Sequence, residues 1–404
     1  MYKRRETYIK LNMFYNLHPY MFLNPKCNFF SSEVFIKYTL LRPPISLWNL
    51  FKAIPLFGML TLSASTPVSA RGVISVDPET LSLKNQDAMI DYINRVQSSW
   101  TAGKNFPDGV PESYLKRLAM THRKSEDLPI LPVWDGSEDE IEEPYSGADP
   151  PAQFDARTKW SNCPCISHIY DQGNCGSCWA VSTASVITDR ICITTKGAFK
   201  DSISAWDMVS CCVENKCAYG CDGGMPDKAF EHYVKFGLVT GGEFGTNQGC
   251  MPYEIKHCSH HMGKDGKYPD CHSYNETVVP KCLAACPNKS YKLAFAKDKH
   301  FGKRAYTVKV ANLKMELSTF GPVVMAFEVF EDFYLYKTGV YHHTTGKSMG
   351  WHAVRVVGYG ADYWLATNSW NPEWGDHGTF KIKSFVNECG CEKEGFATAE
   401  PKIP

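Results

Sequence analysis

The chain has 404 residues, 44% of them hydrophobic, with 43 basic and 43 acidic side chains. A net charge of zero gives no footing for nucleic acid or an anionic membrane surface as a partner. The length suits one large two-lobed unit, or two domains, plus segments removed in processing.

Residues 1–45 are basic and aromatic without periodicity, which fits a long leader or a misplaced start of the reading frame. Next, "IPLFGMLTLSAS" (54–65) is an apolar run preceded by Lys52, and "VSA" ends at Ala70. This reads as a secretory signal cleaved after Ala70. The alternative, a membrane anchor, needs roughly 20 apolar residues, more than this run supplies. A lysosomal or secreted protein follows, with residues 1–70 as extension and signal.

Residues 71–149 carry helix-type and loop patterns and no cysteine. In "LKNQDAMIDYINRVQSSW", Met89, Ile90, Ile93 and Val96 fall on one helical face. The acidic run "DGSEDEIEEPYSGADPP" has the composition of an exposed, nickable linker. A cysteine-dense body, 150–404, follows at once. Together these suggest a pro-segment and a mature domain.

Seventeen cysteines, many in close groups, would point to metal in the cytosol and to disulfides on the secretory route. The stretch "DQGNCGSCWAVS" sets Cys175 and Cys178 three apart: a redox pair, half a zinc site, or two cysteines with unrelated jobs. From Cys178, the residues Trp179, Val181, Ala184, Ile187 and Ile191 mark roughly one face of a helix. A thiolate at that helix N-terminus is favoured by the macrodipole. Much later, "WHAVRVVGYG" and "DYWLATNSW" read as neighbouring strands joined by a tight turn. An early helical lobe and a late β-rich lobe make an α+β fold. His352 on the first late strand is the candidate base, Asn368 its orienting partner, and Gln172 an oxyanion donor beside the Cys178 N–H.

"CGSCW", with the later histidine and asparagine, matches the papain/cathepsin signature. "GWHAVRVVGYG" and "NSWNPEWG" resemble that family's His and Asn segments, and the likeness spans residues 151–404. The resemblance implies a papain-like two-lobed fold: a helical left lobe with Cys178, a β-barrel-like right lobe with His352 and Asn368, and a cleft between. It implies thiolate attack on a peptide carbonyl and an acyl-enzyme hydrolysed by water, with no metal and no cofactor. It also implies a monomer whose partners are protein and peptide substrates, its own propeptide and cystatin-like inhibitors.

His352 follows Cys178 by 174 positions, against about 130–150 in the simple pattern, so some 25–45 residues are inserted. "CMPYEIKHCSHHMGKDGKYPDC" resembles the occluding loop of cathepsin B-type members (here about 250–286), which confers dipeptidyl carboxypeptidase activity beside endopeptidase activity. Zinc is the other reading of so many Cys and His, but in a secreted body Cys258 and Cys271 favour a bridge. By the resemblance His260 and His261 hold the substrate carboxylate, and His260 latches to Asp171. The second latch falls on Lys267 or Lys264 with Glu373 in place of an Arg–Asp pair, a looser contact. "SSWTAGKNF" and "SYLKRLA" resemble the short propeptide of the same group.

Other carried-over positions are Gly223 and Gly224 for close substrate approach, and Met225, Pro226, Ala326 and Glu394 around the S2 pocket. Trp370 falls on the primed side. The implied bridges are Cys163–Cys192, Cys175–Cys221, Cys211–Cys282, Cys212–Cys217, Cys250–Cys286 and Cys258–Cys271. With Cys27 in the removed segment and Cys178 set aside, Cys165, Cys389 and Cys391 are left over, with a seventh bridge between Cys165 and Cys391 open. Asn275 and Asn288 head glycosylation sequons. Trp351 stands where the family has glycine before its histidine. That keeps a rival reading in play, a catalytically impaired binding protein with a blocked cleft.

Overall fold

The computed structural model describes residues 80–122, 131–134, 149–258 and 281–403. His260, His261, Lys264, Lys267, Cys271 and Asn275 lie outside them, as do the signal and the acidic run. The chain divides into units 1–71 and 72–404, and all that follows concerns the second.

In chain order the pro-segment forms α1 (Gln86–Val96), β1 (Trp100–Ala102), α2 (Glu112–Arg117) and β2 (Val133–Trp134). Then come β3 (Phe154–Asp155), α3 (Ala156–Lys159), α4 (Cys178–Thr194), α5 (Ala205–Glu214) and α6 (Pro226–Phe236). The later part holds β4 (Phe301–Val308), α7 (Leu313–Thr319), β5 (Val323–Phe330), β6 (Tyr336–Tyr341) and β7 (Ser348–Tyr359). β8 (Tyr363–Thr367), β9 (Thr379–Lys383), α8 (Cys391–Glu394) and β10 (Phe396–Lys402) complete it. Helices early and strands late give the expected α+β architecture.

α4 is the axis of the molecule. Every residue from Cys178 to Cys192 is buried, so the helix is apolar or satisfied all round rather than amphipathic. Its small and hydroxylated residues permit this, because Ser182, Thr183, Ser185 and Thr188 return their hydroxyls to carbonyls three or four residues back. One side packs on α5 and α6, the other on β7 and β10.

The strands form one sheet in the order β1-β6-β9-β8-β7-β5-β10-β4-β2, with β3 paired to β7. β7 and β8 are antiparallel neighbours across the turn read from the sequence. The right-lobe core is aromatic: Phe333, Tyr336, Trp374 and Phe380 pack within 5.0–6.5 Å of one another.

The pro-segment departs from its sequence reading. Besides helices it contributes two strands, β1 paired with β6 and β2 with β4. Met89 and Ile93 of α1 are fully buried, as their face requires, but Val96 at the helix end is 49% exposed. The side chain of Asn105, itself buried, donates to the carbonyls of Tyr334 and Tyr336. Phe106 sits edge-on to Tyr334 and Trp370. The pro-segment thus shares the right-lobe core instead of resting on it.

Five disulfides join the expected pairs: Cys163–Cys192, Cys175–Cys221, Cys211–Cys282, Cys212–Cys217 and Cys250–Cys286. Cys258 is also bridged, while its expected partner, Cys271, lies outside the described residues. Cys165, Cys389 and Cys391 are free. A Cys165–Cys391 bridge does not form, because Cys165 packs against a small cluster with Cys163 and Cys192, and Cys391 belongs to the right-lobe core. Burial pushes all three thiols well up. Mild alkylation of the mature protein should therefore spare them until denaturation, as peptide mapping would read.

Candidate active site

α4 and β7 bring the sequence-predicted trio together. Cys178 opens α4, whose first N–H groups have no side-chain cap, so the thiol sits at the positive end of the helix. His352 lies on β7 opposite Phe327 of β5. Its Nε2 is 2.8 Å from Asn368 Oδ1, which leaves Nδ1 for the thiol. Asn368 follows β8 and is fixed by a second bond, its Oδ1 accepting from the Ser369 N–H at 2.8 Å. Trp370 lies over the pair with its ring centroid 4.9 Å from that of His352. It is wholly buried and stacked on Tyr334.

Burial works to raise the Cys178 pKa, but the His352 imidazole and the Thr121 hydroxyl more than offset it and hold the thiol down at about 7. Gln172 is anchored by its Oε1, which accepts from the Ser369 hydroxyl at 2.7 Å. Its Nε2 donates to the Cys175 carbonyl at 2.8 Å and points toward the Leu118 carbonyl of the pro-segment at 3.4 Å. The amide expected as oxyanion donor is thus turned toward a pro-segment carbonyl.

The pro-segment fills that cleft in extended form. The Thr121 N–H donates to the Trp351 carbonyl, the His122 N–H to Gly224, and the Gly224 N–H to Met120. Thr121 Oγ1 lies 3.2 Å from Cys178 Sγ, so the thiol is capped. Gly223 has φ +107°, and a Cβ there would collide with the Met120 carbonyl oxygen, so the chain must be bare at this wall. Thr121 and His122 are site residues that the sequence reading missed, because nothing in "AMTHRK" marks which residue meets the thiol.

The expected S2 residues do converge. Met225, Pro226, Ala326 and Glu394 line one pocket, which also takes Asp227 and His122. Glu394 is 8% exposed and sits at the end of α8. The indole of Trp351 lies against Gly390, where a Cβ would come within 2.9 Å of Cη2. Successive strand residues face opposite ways, so with His352 turned to the thiol, Trp351 is turned from it. Asp171 is buried, and its Oδ1 accepts from the Gly173 N–H. Glu373 is exposed. Asn288 uses its Nδ2, the atom a glycan would occupy, on the Asn247 and Gly249 carbonyls. Among the described residues, the Cys/His/Asp groupings with metal-like spacing consist of Cys212, Cys217 and His232, and of Asp207, Cys211 and Cys282. Their cysteines are tied in disulfides and offer no thiolate to a metal.

A family model described as papain family cysteine protease matches residues 150–399, and one described as peptidase family C1 propeptide matches residues 85–125. The chain belongs to the papain family of cysteine peptidases. Cathepsin B-like cysteine proteinase 4 of Caenorhabditis elegans is 43% identical over 342 residues, covering 82% of this chain and 96% of that protein. A cathepsin B-like cysteine proteinase of Schistosoma japonicum is 42% identical over 250 residues, covering 60% of this chain and 71% of its own. Among solved structures, procathepsin B S9 from Trypanosoma congolense superposes with a TM-score of 0.65 at 32% identity. That match covers 80% of this chain and all of the other. The peptidase is cathepsin B-like and carries its propeptide, so the capped thiol described above is that of a zymogen.

Proposed function

We propose that this peptidase cleaves peptide bonds through Cys178, His352 and Asn368, with Gln172 and the Cys178 N–H receiving the oxyanion. The observation that carries the reading is the thiol held near neutrality by an imidazole that is itself aligned by Asn368. The thiolate attacks the substrate carbonyl, and His352 returns the proton to the departing amine. Water, deprotonated by the same ring, then releases the acyl group. The placement of Trp351 against Gly390 favours this reading over a binding protein with a blocked cleft.

The mature domain, in this reading, begins within residues 143–151 and acts in a lysosome or outside the cell, after cleavage of the signal at Ala70. His260 and His261 give dipeptidyl carboxypeptidase activity beside endopeptidase activity, with Asp171 as the loop's latch. Deleting residues 259–270 should lower the ratio of dipeptide release to internal cleavage about tenfold or more. An unchanged ratio would remove the loop's role.

Glu394, at the base of the Met225–Ala326 pocket, accepts a basic P2 side chain. Glu394→Ala should cut the preference for an Arg-Arg over a Phe-Arg reporter by about tenfold to a hundredfold, the worth of one charge-assisted hydrogen bond. If kcat/KM for the two reporters keeps its ratio, the pocket is not S2.

A further inference from the structure

Residues 131–134 follow the cleft-binding part of the propeptide in sequence and dock on a different surface of the peptidase. β2 adds to the edge of β4 as a parallel strand, Val133 against Thr307 and Trp134 against Val308. The Thr307 N–H donates to the Pro132 carbonyl at 2.8 Å. Leu131 and Trp134 are each 3% exposed, whereas Pro132 and Val133 between them are exposed, so the segment is held by its two ends. The Trp134 ring meets Phe320, just past α7, edge-on at 6.4 Å between centroids. β2 ends the sheet order, so without it β4 would be an open edge.

We propose that the β4 edge and the slot beside Phe320 form a second docking site for the propeptide, specific for an extended apolar strand bearing a tryptophan. The inhibitor is then held on β4 by residues 131–134, in addition to residues 118–122 in the cleft and the right-lobe contacts of α1, β1 and Phe106. A cut in the acidic run 135–148 leaves both anchors on one piece, each raising the effective concentration of the other, and the enzyme stays capped. A cut within residues 123–130 separates the anchors and frees the cleft piece. A buried tryptophan seat is the kind of contact that dominates such docking.

The test uses the full zymogen with Cys178→Ser to stop self-processing, and a site for a sequence-specific protease placed either within 135–148 or within 123–130. After cleavage, native gel filtration reads how fast the propeptide leaves. The cleft piece should leave about tenfold faster or more from the cut between the anchors than from the cut in the acidic run. Trp134→Ala in the latter version should remove that difference, and Val133→Ala, at the exposed position, should preserve it. Equal release from the two cuts overturns the proposal, as does unchanged release with Trp134→Ala. Should Trp134→Ala not fold, the comparison of the two cuts decides, since both keep native anchors. The readout is release, not hydrolysis, so its failure is distinct from failure of the catalytic assignment.

Discussion

Replacing His352 by alanine should abolish peptide hydrolysis, by roughly 10⁴-fold or more, as loss of a triad member does elsewhere. The physical cause is legible at the thiol. Burial, the largest influence on Cys178, pushes its pKa up, and the His352 ring is foremost among the groups that bring it to about 7. Without the ring, burial should carry the thiol above its ordinary value of 9.0. The sign is that of an acid: in the native zymogen the thiolate fills in as pH rises through about 7, and in the variant it stays protonated there. Thiolate ultraviolet absorbance, followed against pH with Cys178→Ser subtracted, reads the shift directly. A titration unchanged by His352→Ala would separate the ring from the thiol. Asn368→Ala should weaken activity less, since it orients the ring rather than exchanging the proton.

Arg355→Met should cost about 3–5 kcal/mol of stability, because it strips the partner from a buried carboxylate. Arg355 is 2% exposed on β7, and Asp189 on α4 is fully buried, with N–O 2.9 Å between them. The guanidinium also donates to the Cys165, Ile166 and His168 carbonyls and to the Thr367 hydroxyl. One side chain thus ties the central helix and residues 165–168 to β7, which carries His352, and to β8, which leads into Asn368. Urea unfolding of the zymogen should show the loss, and Arg355→Met with Asp189→Leu should recover much of it, since the stranded charge is then gone. A loss below about 1 kcal/mol would mean that solvent reaches Asp189 on opening, and that the pair is not holding the lobes.

Much of the site was legible because its chemistry fixes residue types at short spacing. "CGSCW" places a thiol at a helix start, and the two late strands bring a histidine and an asparagine side chain within hydrogen-bond reach. Burial of α4 was less so: its periodicity suggested one apolar face, yet Ser182, Thr183 and Ser185 are buried too, their hydroxyls satisfied by the helix's own carbonyls. A polar residue reads as surface until its partner is known.

The sequence by itself pointed to the candidate nucleophile and base, to five disulfides by family likeness, and to a pro-segment followed by an enzyme. These rest on local motif order, which needs no knowledge of distant contacts. Only the tertiary structure decided that Thr121 caps the thiol, that Trp351 turns away to Gly390, that Cys165 and Cys391 stay apart, and that Trp134 seats on β4. Each of these depends on which surfaces meet across many residues of chain. Side-chain direction on a strand, and the pairing partner of a sheet edge, are properties of the assembled sheet and not of the segment that enters it.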